Sequence, residues 1–364
     1  MKKVWLTAGA VAVLALAAGG AAWLERGPIA ERLMSRIYDR VMGDDPIAAL
    51  PDGLHVGLCG SGSPMADPTR AGPCTVVIAG RDEFVVDSGT GSTKTLSLMN
   101  LPPSRVTGIF ITHYHSDHIA DLGELLLQRW ASGAAHTPVD IYGPTGLDGL
   151  VSGLKTAYAL DAGYRVAHHG PKVVPPGGFG ATPHTFAIDA ASADVTLIDR
   201  PDLKVIAFPV DHGPVKPAVG YLFIYKGRRV VVSGDTAASP RLEAAAKDAD
   251  VLVHEGLAPN LVALQRKAAL AHGRDNLAAI FHDILEYHTT PEQAAGIAQR
   301  AHVRFLLFTH VIPPLPLEAL EGPFLGRSRQ IFHGPIQVGH DGDFISLPAG
   351  ATDIRKSNRL RTFI

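Results

Sequence analysis

The chain has 364 residues, with 33 Lys and Arg against 35 Asp and Glu and a formal net charge of −2. That balance offers no basic excess to attract a polyanion. A hydrophobic share of 46% fits a globular core, and only two cysteines exclude a disulfide-dense scaffold.

The run from Val4 to Leu24 has Thr7 as its one polar residue and follows Lys2 and Lys3. Its length suits a membrane anchor with the lysines left in the cytoplasm. A cleavable signal peptide fits equally, cut near Ala15-Leu16-Ala17 or Gly20-Ala21-Ala22. Either way the rest of the chain is expected to be exported, to a periplasmic location or facing it from a membrane anchor. Residues 26–44 follow, with Ile29, Leu33, Ile37 and Val41 four apart and Arg32, Arg36 and Arg40 on a neighbouring stripe. The spacing predicts an amphipathic helix, which either lies on a lipid surface or, the favoured reading, packs on the domain that follows. Pro46 to Pro51 marks a boundary. The expected organisation is 1–25 signal or anchor, 26–50 amphipathic helix and linker, and 51–364 one large domain.

Within that domain an apolar strand (Val106, Ile109, Phe110, Ile111) leads into Thr112-His113-Tyr114-His115-Ser116-Asp117-His118. Three imidazoles and a carboxylate at this spacing can point at two ions, and these are the ligands that zinc takes where a position stays open for water. Further apolar runs end in ligand-capable residues. Val205 to Val210 precedes His212, Val230-Val231-Val232 precedes Asp235, and Phe305 to Phe308 precedes His310. Together these make seven ligands on one rim of a sheet structure, enough for a binuclear site.

The order His113-x-His115-x-Asp117-His118, His212, Asp235, His310 resembles the metallo-β-lactamase superfamily. Within it the chain is most similar to the tRNase Z and arylsulfatase-like branch. Gly60-Ser61-Gly62-Ser63-Pro64 with Arg70-Ala71-Gly72-Pro73 resembles that branch's opening hairpin, and Phe84 to Gly89 its second strand. Ile141 to Gly146 resembles its glycine-proline turn, and Tyr287-His288-Thr289-Thr290 a segment carrying a catalytic His. The resemblance runs from about Gly53 to His310. It implies an α/β fold, an αββα sandwich preceded here by an N-terminal hydrophobic helix, with two divalent metals, zinc the expected ion. His113, His115 and His212 would hold one metal, Asp117, His118 and His310 the other, and Asp235 would bridge. Two divalent ions about 3.5–4 Å apart make hydroxide from a shared water near neutral pH and clamp ester oxygens. Asp117 and His288 are the expected catalytic residues, His288 protonating the leaving group. A helix start at Thr290-Pro291-Glu292 would position it. The His254-Glu255 pair is expected to orient a ligand. His168, His169 and His184 read as solvated residues of a Pro/Gly-rich insertion, and His272, His282, His302, His333 and His340 have no supporting context. Cys59 and Cys74 flank the opening hairpin and either form a disulfide or stay as buried thiols.

Departures from tRNase Z shape the functional expectation. Gly220 to Val230 reads as a plain hairpin with a Lys226-Gly227 turn where that enzyme carries a tRNA-gripping arm, and Val311-Ile312-Pro313-Pro314 replaces its usual tail. The stretch from Ala157-Tyr158 to Tyr164-Arg165 instead resembles the arylsulfatase-like members. The expected function is a binuclear hydrolase of a small ester, an aryl sulfate or phosphate ester. The alternative is a phosphodiesterase or ribonuclease Z-like nuclease. A non-catalytic membrane-tethered binding protein is the second alternative, and lactam cleavage a minor one. The expected partners are a small-molecule ester and, if the N-terminal segment is retained, a membrane; nucleic acid is not expected.

Overall fold

The computed structural model describes residue 23, residues 26–43 and residues 45–360. The expected signal or anchor at 1–25 thus lies almost wholly outside the described residues, and among these no helix is long and apolar enough to cross a membrane. Contacts divide the chain into residues 1–49 and 50–364. The first unit carries helix α1 (Arg26–Gly43), where the four-residue apolar spacing places it.

The second unit is built on two sheets. Its strands are β1 (Gly53–Gly60), β2 (Cys74–Ala79), β3 (Asp82–Val86), β4 (Val106–Phe110), β5 (Val139–Pro144), β6 (Ala181–Phe186), β7 (Val195–Arg200) and β8 (Leu203–Pro209), followed by β9 (Val219–Tyr225), β10 (Arg228–Val232), β11 (Val251–Leu257), β12 (Leu306–Ile312), β13 (Ile336–Val338), β14 (Asp343–Pro348) and β15 (Arg355–Asn358). Among the described residues one sheet has the order β15-β14-β1-β2-β3-β4-β5-β6 and the other β13-β12-β11-β10-β9-β8-β7. Strands β3 to β6 in the first and β10 to β13 in the second are parallel, whereas β8, which precedes His212, pairs antiparallel with β7 and β9.

The near-continuous apolar runs follow from burial on both faces. Along β9, Tyr221 and Phe223 point between the sheets, where they meet Phe84 and Phe110, while Leu222 points the other way. Val231, Leu252, Leu306 and Phe308 form the outer face, covered by Ala294, Ile297 and Ala298 of helix Pro291–Arg300. The two sheets with helices outside them make the αββα sandwich that the motif order implies.

Three local expectations are settled here. Cys59 and Cys74, on neighbouring strands β1 and β2, form a disulfide with an S–S distance of 1.97 Å. Phe84 to Val86 lies in the third strand, not the second. His184 was expected in a solvated insertion loop but stands on β6, stacked on Tyr142 at 4.7 Å and 2.8 Å from Asp140. The Pro and Gly residues there suggested a loop, but pairing with β5 overrides weak strand propensity.

One buried carboxyl outside the motif set has no hydrogen-bond partner. Glu83 on β3 is fully buried, with neither carboxylate oxygen hydrogen-bonded. Burial pushes its pKa up from 4.5 to about 8, and Arg105 and Arg359 pull it back only in part. A carboxyl raised in the folded state costs nothing below the unfolded value and destabilises progressively as pH climbs through that window. Glu83→Gln should therefore leave the melting temperature unchanged near pH 4.5 and raise it increasingly up to pH 8. The gain approaches about 1.4 kcal/mol per pH unit. A thermal scan showing no pH-dependent gain would refute the buried-carboxyl account.

Candidate metal centre

The C-terminal ends of β4, β8 and β10, with a bulge inside β12, deliver the ligand-type residues to one rim. β4 ends at Phe110, and the chain turns through Thr112 and His113 into the short helix Ser116–Ile119. His113 is fully buried, His115 exposed and Asp117 half-buried, with His118 beneath them. β8 leads to His212, buried, whose Nδ1 lies 3.1 Å from the Tyr287 carbonyl. β10 leads to Ser233-Gly234-Asp235. Gly234 has φ +61°, and a Cβ there would stand 2.7 Å from the Val219 carbonyl oxygen, so the turn that aims Asp235 requires glycine.

His310 arrives by a route the sequence concealed. It sits inside β12 rather than after it, and the register against β11 shifts between Glu255↔Thr309 and Gly256↔Val311. His310 is thus the extra, bulged residue, with φ +45°. A bulge turns one side chain out of the ladder, and here it turns His310 into the site.

Asp235 is the centre of the arrangement. Its Oδ2 lies 3.2 Å from His310 Nε2, 3.3 Å from His118 Nε2, 3.9 Å from His212 Nε2 and 4.0 Å from His113 Nε2. Asp117 Oδ2 is 3.3 Å from His310 Nε2 and 3.5 Å from His118 Nε2. His115 Nδ1 and His212 Nε2 are 3.4 Å apart. Among the described residues three groups have donor atoms close enough to share an ion: His113, His115, His212 and Asp235; Asp117, His118 and His310; and Asp235, His288 and His310. All seven residues named from the sequence are brought together.

The donor set fits divalent metal. His113 Nε2 and His118 Nε2 are buried without a hydrogen-bond partner, although Asp235 faces both. His118 Nδ1 faces Asp87 at 2.8 Å, which turns Nε2 inward toward Asp235. Burial holds His113 neutral, the form that ligates metal. For Asp235, burial opposes the charge, yet His310 and His118 hold its pKa well below the carboxylate range. Burial likewise opposes charge on His118, but Asp235 and Asp87 raise its pKa well above the usual value.

His288 completes the rim. It is buried, with ring centroids 5.2 Å from His212 and 5.5 Å from His310. Its Nδ1 lies 3.0 Å from Glu255 Oε1, an oxygen that also accepts from the Thr289 and Thr236 backbone N–H groups at 2.9 and 3.3 Å. Burial disfavours its charge, but Glu255 more than offsets that and raises the His288 pKa. The helix start after it is real: Thr290 and Gln293 form a capping box. Of the His254-Glu255 pair, Glu255 does the orienting, whereas His254 Nδ1 faces the Glu255 carbonyl at 2.7 Å. His288 also lies within ligand reach of Asp235 and His310.

Two supporting residues were missed. Asp87 accepts from the Thr112 N–H at 2.8 Å and the Thr112 hydroxyl at 2.7 Å, besides holding His118. A lone Asp closing the apolar run of β3 was the available signal. Asp341 accepts from Ser61 N, Ser61 Oγ and Ala71 N at 2.9, 2.9 and 2.7 Å, pinning both ends of the loop at 61–71. No local pattern marks it.

A family model described as "Metallo-beta-lactamase superfamily" matches residues 67–274. Among curated relatives, the "Ribonuclease Z" of Mycobacterium avium (strain 104) is 35% identical over 291 residues, covering 79% of this chain and 96% of the relative. That of Mycobacterium bovis (strain BCG / Pasteur 1173P2) is 33% identical over 290 residues, covering 79% and 96%. Among solved structures, the short form of human tRNase Z superposes with a TM-score of 0.58 at 24% identity, covering 81% of this chain and 99% of that one. The metallo-beta-lactamase fold protein YhfI from Bacillus subtilis gives 0.59 at 18%, covering 81% and 100%. At those identities the two structures show the fold alone.

Proposed function

We propose that this chain, which belongs to the metallo-β-lactamase superfamily, is a metal-dependent phosphodiesterase. It is a hydrolase of the metallo-β-lactamase fold acting on ester bonds. The choice of bond moves from the aryl sulfate expected of the sequence to its alternative, the phosphodiester, because the curated relatives carry the name ribonuclease Z. The observation that carries the reading is the convergence of four imidazoles on Asp235 with the His288–Glu255 pair beside them.

His113, His115 and His212 would hold one ion and Asp117, His118 and His310 a second, with Asp235 between them; zinc suits this nitrogen-and-carboxylate set. Bound divalent ions supply the Lewis acid that activates water and takes up charge on the ester oxygens. The chain's residues do the rest. Water adds to phosphorus and gives up a proton to solvent, the bond to the leaving oxygen breaks, and protonated His288 delivers a proton to that oxygen. Glu255 accepts from Nδ1–H, so the proton that the imidazolium gives up is the one on Nε2.

The relatives' name also bears on the expectation that nucleic acid is not a partner, since it returns RNA as a candidate. Two features favour a small diester over tRNA. Lys226 and Gly227 both have positive φ and close a two-residue hairpin between β9 and β10, leaving no arm there. The charge balance supplies no basic surface excess.

The test is the purified protein loaded with zinc or manganese, offered bis(p-nitrophenyl) phosphate and p-nitrophenyl sulfate. The diester should be cleaved with at least about tenfold higher kcat/KM. Chelator should abolish turnover, zinc should restore it, and metal analysis should read close to two ions per chain. A preference for the sulfate, or full activity in chelator, would sink the reading.

A further inference from the structure

Among the described residues, one cleft opens beside the candidate metal centre at His212 and another at Asp117. The cleft at His212 is about 510 Å³, and that at Asp117 about 400 Å³. The larger lies within the size range of small-molecule sites. Ile188, Val210 and Pro217 give its lining apolar surface. Its outer wall is the turn at 187–194, which is built rather than loose. Asp189 Oδ1 accepts from the Ala191 N–H and the Ser192 hydroxyl, each at 2.9 Å, and Arg241 binds the Ser192 carbonyl at 2.8 Å and Asp194 at 2.7 Å.

The charge of this cleft is balanced. Lys216 and Arg241 line it, and so do Asp189 and Asp211. Arg241 is taken up by Asp194, and no ion pair to Lys216 occurs among the described residues. A cleft that received a further phosphate would need an excess of cations, because each unpaired phosphate oxygen near Asp189 and Asp211 meets like charge. Apolar surface beside balanced charges suits instead a flat, uncharged ring.

We infer that this cleft is the subsite for one of the two substituents of the diester, an uncharged ring such as a nucleoside or aryl group. The inference rests on the phosphodiester reading above and deepens it. The favoured substrate is then a small diester bearing a ring on the His212 side, with no further phosphate attached to that ring. Its other substituent would lie in the cleft at Asp117.

The experiment fills the cleft. Ala187 and Ala190 are exposed on its wall and hold no place in the metal centre, so A187W and A190W occupy space without touching a ligand. Three diesters share the p-nitrophenolate leaving group: bis(p-nitrophenyl) phosphate, thymidine 5′-(p-nitrophenyl) phosphate and methyl p-nitrophenyl phosphate. The tryptophans should raise KM about tenfold for the first two. The methyl diester should stay within about twofold, because its single ring can lie at Asp117 and its methyl group still fits beside the tryptophan. Unchanged KM on all three, or equal rises on all three, overturns the subsite. Absence of wild-type turnover on every diester would instead defeat the phosphodiester reading. Adding a 3′-phosphate to the thymidine diester should leave its KM within about twofold. A tenfold fall that K216A abolishes would overturn the uncharged assignment.

Discussion

Alanine at position 235 should lower kcat by roughly three orders of magnitude or more while the protein stays folded. Asp235 Oδ2 stands within 4.0 Å of imidazole nitrogens from both ligand groups, so its loss disconnects the two halves of the site at once. The side chain is buried but surrounded by polar partners rather than packed in the apolar core, and its removal opens little hydrophobic volume. Far-ultraviolet circular dichroism and a melting curve read the fold, and turnover on bis(p-nitrophenyl) phosphate with saturating zinc reads the site. Turnover within about tenfold of wild type would show that Asp235 is not the shared residue.

His288→Ala should show an effect that depends on the leaving group. A general acid contributes about 10²–10⁴-fold where the departing oxygen is basic, and little where it already leaves as a stable anion. The variant should therefore lose two orders of magnitude or more on a diester with a nucleoside leaving group, and less than about tenfold on a p-nitrophenyl diester. Metal content separates this role from ligation, since His288 lies within reach of both Asp235 and His310. Wild-type metal content with a split between leaving groups supports proton delivery. Metal loss, or equal loss on both substrates, makes His288 a ligand or a structural residue. Glu255→Gln gives a second reading of the same device. It keeps an acceptor for the Thr289 N–H but removes the negative charge facing His288 Nδ1, so it should follow the same split more mildly.

The seven ligand-type residues were legible because each stands at or near the end of an apolar run. A buried strand announces itself by composition alone, and a parallel strand delivers its next residue to a common rim. The same reasoning misplaced His310 by one structural step. Phe305 to Phe308 looked like a complete strand, yet β12 continues to Ile312 and turns His310 inward through a bulge. Bulges arise from register between two strands, which a single run of residues does not display.

Sequence by itself determined the strand ends that carry ligand-type residues, because period and spacing are local properties of the chain. The superfamily and the fold class came from the resemblance of that motif order to a known family, and the seven residues meet at the candidate metal centre. Sequence also showed that the β9–β10 hairpin is short, since a Lys-Gly turn between two apolar runs leaves no room for an inserted arm. Tertiary structure alone decided which residues support those ligands. Asp87 reaches His118 across 31 positions, Glu255 reaches His288 across 33, and Asp341 pins Ser61 across 280. Such partners are chosen by sheet order and register, which place distant backbone segments a few ångströms apart and leave each buried polar group to find whichever partner is there. The cleft at His212 belongs to the same class. Its walls come from the turn at 187–194, the loop after β8 and the residues around Ser239, segments that are separate in sequence and meet only once the sandwich has closed.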